Sequence, residues 1–164
     1  MPSPHGFKAR PTTDFAKESL FNILFNYFNF EDKDILDLFS GSGGISYEFA
    51  SRGCASVTAI EKDFRHYNYI RTVVEKLKIE EITPLKLDVF KYLQECHAQY
   101  NIIFADPPYD LEGIESIPEL VFEKNLLKEE GMLVVEHPKT IDFSKHERFI
   151  LHKHYGSVNF SFFE

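Results

Sequence analysis

Short, nearly continuous apolar runs alternate along the chain with stretches whose apolar residues recur every three or four positions. The runs are Ile35 to Phe39, Ser56 to Ile60, Thr83 to Leu87, Ile102 to Ala105 and Met132 to Val135. They lack the in-out alternation of a half-exposed strand and read as buried parallel strands. Between them, Gly44 to Arg52, Asp63 to Lys78, a short turn from Val89, and Ile117 to Asn125 read as helical. In the second of these, Tyr67, Ile70, Val74 and Leu77 fall on one stripe, with Asp63 as N-cap and lysines near the carboxyl end. Ahead of the first strand, Phe21, Leu24 and Phe28, with Leu20, Ile23 and Tyr27 beside them, predict a helix capped by Thr13 or Asp14. This alternation predicts a doubly wound, Rossmann-like α/β sheet, mostly parallel, with ligands at the carboxyl ends of its strands. The tail departs from it. Phe149 to Tyr155, Gly156-Ser157, then Val158 to Phe163 predict a C-terminal antiparallel hairpin added to one edge.

No repeat or long linker divides the 164 residues, so a single domain is expected over 1–164. Residues 1–13 form an extended basic arm, rich in proline and holding Lys8 and Arg10, and residues 14–164 form the α/β core. The 26 acidic and 18 basic side chains leave a net charge of −8, which disfavours long-range attraction to nucleic acid. Residues 1–17 nevertheless carry +2, so any such binding needs a local basic surface. Cys54 and Cys96 are too few for a disulfide scaffold and are not in metal-ligand spacing. His152 and His154 share a strand face without a third ligand adjacent, and no metal is expected. No apolar run approaches the roughly 20 residues of a membrane span, and Met1-Pro-Ser-Pro-His5 lacks the apolar core of a signal peptide. A soluble, cytoplasmic protein is expected.

The segment Asp37-Leu-Phe39-Ser-Gly41-Ser42-Gly43-Gly44 follows the first strand and opens a helix. Its glycines allow a tight turn and close approach of the backbone to a ligand. Glu61 ends the second strand, where a carboxylate can accept from both hydroxyls of an adenosine ribose. These two features suit NAD and S-adenosyl-L-methionine alike. A dinucleotide fingerprint, however, wants a third Gly or Ala where Ser46 stands. Asp37 is also badly placed against a pyrophosphate, yet suited to the α-ammonium of a methionine moiety. Asp88, after the third strand, can accept from an adenine amino group, although alone it would ordinarily be a helix N-cap.

The sharpest signal is Asp106-Pro107-Pro108-Tyr109, directly after the fourth strand. Two prolines fix φ, remove two amide donors and leave carbonyls free, giving a rigid frame of acceptors. The Asp106 carboxylate and Pro107 carbonyl suit the two N–H groups of an exocyclic base amine, and Tyr109 suits stacking on that base. His137-Pro138 is a candidate lining of the target pocket. Lys62, Arg65, His66 and Arg71 form a basic stretch that reads as a solvated face.

With these motifs the chain resembles the class I S-adenosylmethionine-dependent methyltransferases. Within them it resembles the RsmD family of small-subunit ribosomal RNA guanine-N2 methyltransferases. The likeness rests on Arg10-Pro-Thr12-Thr13-Asp14, Glu18-Ser-Leu-Phe-Asn-Ile-Leu24, the glycine motif, Ser51-Arg-Gly53, Glu61-Lys62-Asp63, the Asp-Pro-Pro-Tyr loop, Gly131-Met-Leu-Val-Val-Glu136 and the Tyr155-Gly156 hairpin. It implies a cofactor site of Arg10, Thr12, Thr13, Asp37, Phe39, Gly41, Ser42, Gly43, Glu61, Lys62 and Asp88, and a catalytic set of Asp106, Pro107, Pro108 and Tyr109. Arg10 to Thr13 would close over the methionine end, with Phe21 and Asn22 in the supporting helix. The implied partner is small-subunit ribosomal RNA or the assembling small ribosomal subunit. The resemblance also implies a basic hairpin ahead of the Arg-Pro-Thr motif, and no such stretch precedes Arg10 in this sequence. Three other readings share parts of the pattern: an adenine-N6 DNA methyltransferase, an NAD-linked oxidoreductase, and a non-catalytic cofactor-binding assembly protein.

Overall fold

The computed structural model of the chain describes residues 13–164, in which the apolar runs become the interior strands of one sheet. In chain order the elements are α1 (Asp14–Phe25), β1 (Asp34–Leu38), α2 (Gly44–Ser51), β2 (Ser56–Ile60), α3 (Phe64–Leu77), β3 (Ile82–Leu85), α4 (Val89–Glu95), β4 (Tyr100–Ala105), α5 (Ser116–Glu123), β5 (Leu127–His137), β6 (Phe149–Tyr155) and β7 (Val158–Phe163). The strand order is β3-β2-β1-β4-β5-β7-β6. Strands β1 to β5 are parallel, and β7 and then β6 continue the sheet antiparallel. The chain leaves β1 towards β3 and returns to β4 on the other side of β1. That reversal opens a crevice at the carboxyl ends of β1 and β4, where sheets of this kind bind ligands.

Each face of the sheet is covered, as parallel strands require. On one face Ile35, Ala59, Phe104 and Phe160 pack under Leu20, Phe21, Phe49 and Ile70 of the first three helices. On the other, Leu36, Ile103, Leu133 and Phe163 pack under Val89, Leu93, Ile117 and Val121 of α4 and α5.

Three local expectations change. Helix α1 stops at Phe25, and the amides of Asn26, Tyr27 and Phe28 close its last turn on Ile23 and Leu24, so Phe28 is buried beyond the helix rather than within it. On α3 the buried stripe is His66, Ile70 and Val73, whereas Leu77 is 52% exposed. Strand β5 is longer than its apolar run, because β4 holds it back to Leu127 and β7 holds it forward to His137. In the hairpin the second strand, β7, joins β5 and leaves β6 as the edge.

Candidate active site at the carboxyl ends of the strands

Register sets the level of the site. Leu38 pairs with Ile60 on one side and Ala105 on the other, and Ala105 pairs with Val135. Phe39, Glu61, Asp106 and Glu136, one residue further on, therefore emerge at one level along the sheet edge.

The glycine loop is built by backbone hydrogen bonds. Ser40 N–H donates to the Ile60 carbonyl at 2.9 Å, and Gly43 N–H donates to the Ser40 carbonyl at 2.8 Å. Phe39, Gly41 and Gly43 all have positive φ, at 60°, 57° and 90°. At Gly43 a Cβ is excluded twice, by this conformation and by the Tyr47 ring, which would lie 2.7 Å away.

The acids hold this loop in place. Gly41 N–H donates to Glu61 Oε1 at 2.8 Å, and Asp63 N–H donates to Oε2 at 2.8 Å. Each oxygen of that carboxylate keeps a lone pair, so Glu61 can orient the loop and still accept from ligand hydroxyls. His66, expected on a solvated basic face, is instead buried, with Nδ1 3.8 Å from Glu61 Oε2. Asp37 is 1% exposed, and its Oδ2 accepts from Ser46 Oγ at 2.6 Å. Burial, aided by the nearby Glu61 charge, pushes the Asp37 carboxyl up to about 7, although the Ser46 hydrogen bond works against this. Asp88 caps α4 by accepting from Lys91 N–H at 3.1 Å. Lys62 Nζ lies 3.9 Å from Asp88 Oδ1, both being exposed. Ser42 lies in the loop between the two glycines, half-buried. Thr13 caps α1, its Oγ1 accepting from Ala16 N–H at 3.2 Å. Arg10, Thr12 and most of the expected arm lie outside the described residues.

The Asp-Pro-Pro-Tyr loop crosses the same edge. Asp106 N–H points at the Leu38 carbonyl at 3.5 Å, which joins the start of this loop to the glycine loop. Leu111 N–H donates to the Pro108 carbonyl at 3.0 Å and closes the turn. Among the described residues no hydrogen bond uses the Pro107 carbonyl. Tyr109 Oη donates to Oε2 of the buried Glu136 at 3.2 Å, tying the loop to the end of β5.

Sequence reasoning placed Asp37, Glu61 and Asp106 on this edge, and it missed Ser46, His66 and Glu136 as participants. Glu136 carried a signal, since an acid closes an otherwise apolar strand run. Ser46 and His66 carried none beyond helical spacing from Gly43 and Asp63. His137, a candidate either for the pocket lining or for a loop position without chemistry, ends β5 and is buried.

A reversing parallel sheet with a glycine loop after β1, an acid after β2 and an Asp-Pro-Pro-Tyr loop after β4 defines a class I methyltransferase architecture. The comparisons with known proteins narrow it. The family model described as Conserved hypothetical protein 95 matches residues 1–164, and the chain belongs to that family, the RsmD family. Ribosomal RNA small subunit methyltransferase D of Escherichia coli (strain K12) is 31% identical over 136 residues, which span 83% of this chain and 68% of that one. The Bacillus subtilis (strain 168) protein YlbH is 35% identical over 144 residues, spanning 84% of this chain and 76% of that one. The solved structure of yhhF from Escherichia coli superposes with a TM-score of 0.86 at 28% identity, covering 99% of this chain and 90% of that one.

Proposed function

We propose that the chain is an S-adenosylmethionine-dependent methyltransferase that modifies the exocyclic N2 amine of a guanine in small-subunit ribosomal RNA, in the cytoplasm. The observation that carries this reading is the shared level of the Glu61 carboxylate, the glycine loop and the Asp106–Tyr109 loop across three adjacent strands. The name of the Escherichia coli relative supports ribosomal RNA as the substrate. Guanine N2 rests on the likeness of the Arg10–Asp14 and Glu18–Leu24 motifs to the RsmD family.

The donor set suits the cofactor. Glu61 retains acceptor capacity for ribose hydroxyls, and Gly41 and Gly43 add no Cβ of their own to the loop. Asp37 is a buried carboxyl held near neutrality by desolvation, and an ammonium brought to the loop would favour its ionised form. In this reading Asp88, beyond its cap of α4, accepts from the adenine amine, and Lys62 and Ser42 lie beside the cofactor. When bound, the cofactor supplies an activated methyl group on a sulfonium.

The chain's own residues then need only position the acceptor. Asp106 and the Pro107 carbonyl take the two N–H groups of the guanine amine and favour a pyramidal nitrogen whose lone pair faces the methyl carbon. Tyr109, steadied by Glu136, stacks on the base. After transfer the amine sheds one proton to Asp106 or to water.

Mass spectrometry of small-subunit ribosomal RNA tests this. Deleting the gene should remove one N2-methylguanine. Wild type should restore it and Asp106→Ala should not, although that variant binds S-adenosylmethionine within a few-fold of wild type by calorimetry. Persistence of every N2-methylguanine in the deletion strain overturns the substrate. Equal loss of transfer and cofactor binding in Asp106→Ala makes Asp106 a cofactor or folding residue. Transfer to adenine N6 of DNA instead selects the rival enzyme.

A further inference from the structure

The C-terminal hairpin carries polar chemistry that an edge of a sheet does not need. His137, Asn159 and His154 pair in register across β5, β7 and β6, and therefore share one face. Ser161 and His152 form the next row on that face. Asn159 is 7% exposed, Ser161 1% and His137 2%. Apolar residues would fill these positions at less cost, since each buried polar group must recover its lost hydration through hydrogen bonds.

The bonds fix the orientation of each group. The Pro138 carbonyl can only accept, so His137 Nδ1, 2.9 Å away, carries the proton, and Nε2 accepts from Ser161 Oγ at 2.8 Å. Asn159 Nδ2 donates to the Ser157 carbonyl at 3.4 Å, which sets Oδ1 towards His152 Nε2 at 3.0 Å. The carboxamide thus uses one of its two N–H groups and one of its two acceptor sites within the protein. That leaves one N–H and one acceptor site of the carboxamide, and a carboxamide can offer both a donor and an acceptor to the edge of a nucleobase.

Asn159 also lines an open cleft of about 650 Å³, together with Tyr109, Lys139, Thr140, His154 and Ser157. No lining residue is acidic, although the molecule carries a net charge of −8. The cleft is continuous with the Asp-Pro-Pro-Tyr loop through Tyr109. Its charge suits a phosphodiester, and its hydroxyls and amide suit a base held in single-stranded form.

We propose that this cleft seats the RNA nucleotide adjoining the target guanine. Asn159 reads the edge of its base, Lys139 and His154 engage its phosphate, and His152 acts as a positioning residue for the Asn159 amide. This rests on the ribosomal RNA reading above. Asn159 is a specificity-determining residue here and takes no part in the chemistry.

The test is methyl transfer to small ribosomal subunits purified from the gene-deletion strain. Asn159→Ala should raise KM for the subunits about ten-fold. Its kcat at saturation should stay within about two-fold, and the Kd for S-adenosylmethionine should be unchanged. The exposed Lys139→Glu, which leaves the hydrogen-bonded row intact, should raise KM similarly, and its defect should shrink as KCl rises. Unchanged KM in both variants, on subunits that wild type methylates, overturns the cleft assignment and leaves the methyltransferase reading standing. If Asn159→Ala unfolds, Lys139→Glu alone decides. If wild type binds S-adenosylmethionine but transfers nothing to the subunits, the ribosomal RNA reading fails and the cleft assignment falls with it.

Discussion

A carboxyl group buried as deeply as that of Asp37 costs free energy whenever it is ionised, and this sets a pH dependence of definite sign. Its folded-state value of about 7 lies above the ordinary 3.8, so between those limits the folded protein holds a proton that the unfolded chain has lost. Asp37 therefore lowers stability progressively as pH rises from 3.8 to about 7, and adds no further change above that. Asp37→Asn should abolish this fall, so its Tm should exceed that of wild type at pH 8 and converge with it near pH 4. An ammonium ligand would pull the same proton off. S-Adenosylmethionine affinity should thus rise from pH 6 to pH 8 in wild type and stay flat in Asp37→Asn, as calorimetry across that range would show. Glu61 acts differently, because its carboxylate accepts from two loop amides. Glu61→Ala leaves both amides to solvent and removes the proposed acceptor for the ribose. Since a hydrogen bond to a charged group contributes about 1.5–3 kcal/mol, S-adenosylmethionine Kd should rise about 10- to 100-fold.

At the scale of elements, the turn from β1 into α2 tolerates one residue type at its key position. Gly43→Ala forces a side chain into φ +90° and against the Tyr47 ring, so it should cost about 1–3 kcal/mol in urea denaturation. Gly44→Ala, one residue on, meets nothing within 4 Å and should be neutral or slightly stabilising. That contrast separates steric strain from a general intolerance of the loop. The hairpin is an element of the core as well as an edge. Phe160, Phe162 and Phe163 are all fully buried and contribute to both faces of the sheet. Losing even two such rings costs about 6–10 kcal/mol, comparable with the whole stability of a domain. Truncation after Glu147 should therefore leave a chain without a cooperative melting transition in circular dichroism.

At the scale of the whole molecule, charge and topology divide the labour. Residues 13–164 carry a net charge of −10, while Lys8 and Arg10 lie ahead of them. With Lys139 and His154 as the proposed phosphate contacts, log affinity for single-stranded RNA should fall with log salt at a slope of about −1, and a slope steeper than about −5 would require a basic surface elsewhere. The run-and-stripe pattern determined the α/β class, the parallel core and the terminal hairpin, because burial of a strand on both faces imposes apolar runs and burial of a helix on one face imposes period 3.6. The motifs likewise placed Asp37, Glu61 and Asp106 along one edge of the sheet, since glycine permits and proline imposes particular backbone turns whatever surrounds them. Tertiary structure alone decided that Ser46 bonds Asp37, that His66 lies against Glu61, and that Tyr109 leans on Glu136. It also decided that β7 rather than β6 meets β5, which brings Asn159 beside His137 and into the cleft. These outcomes depend on strand order and register, which join residues far apart in sequence, and no local pattern of polarity encodes them.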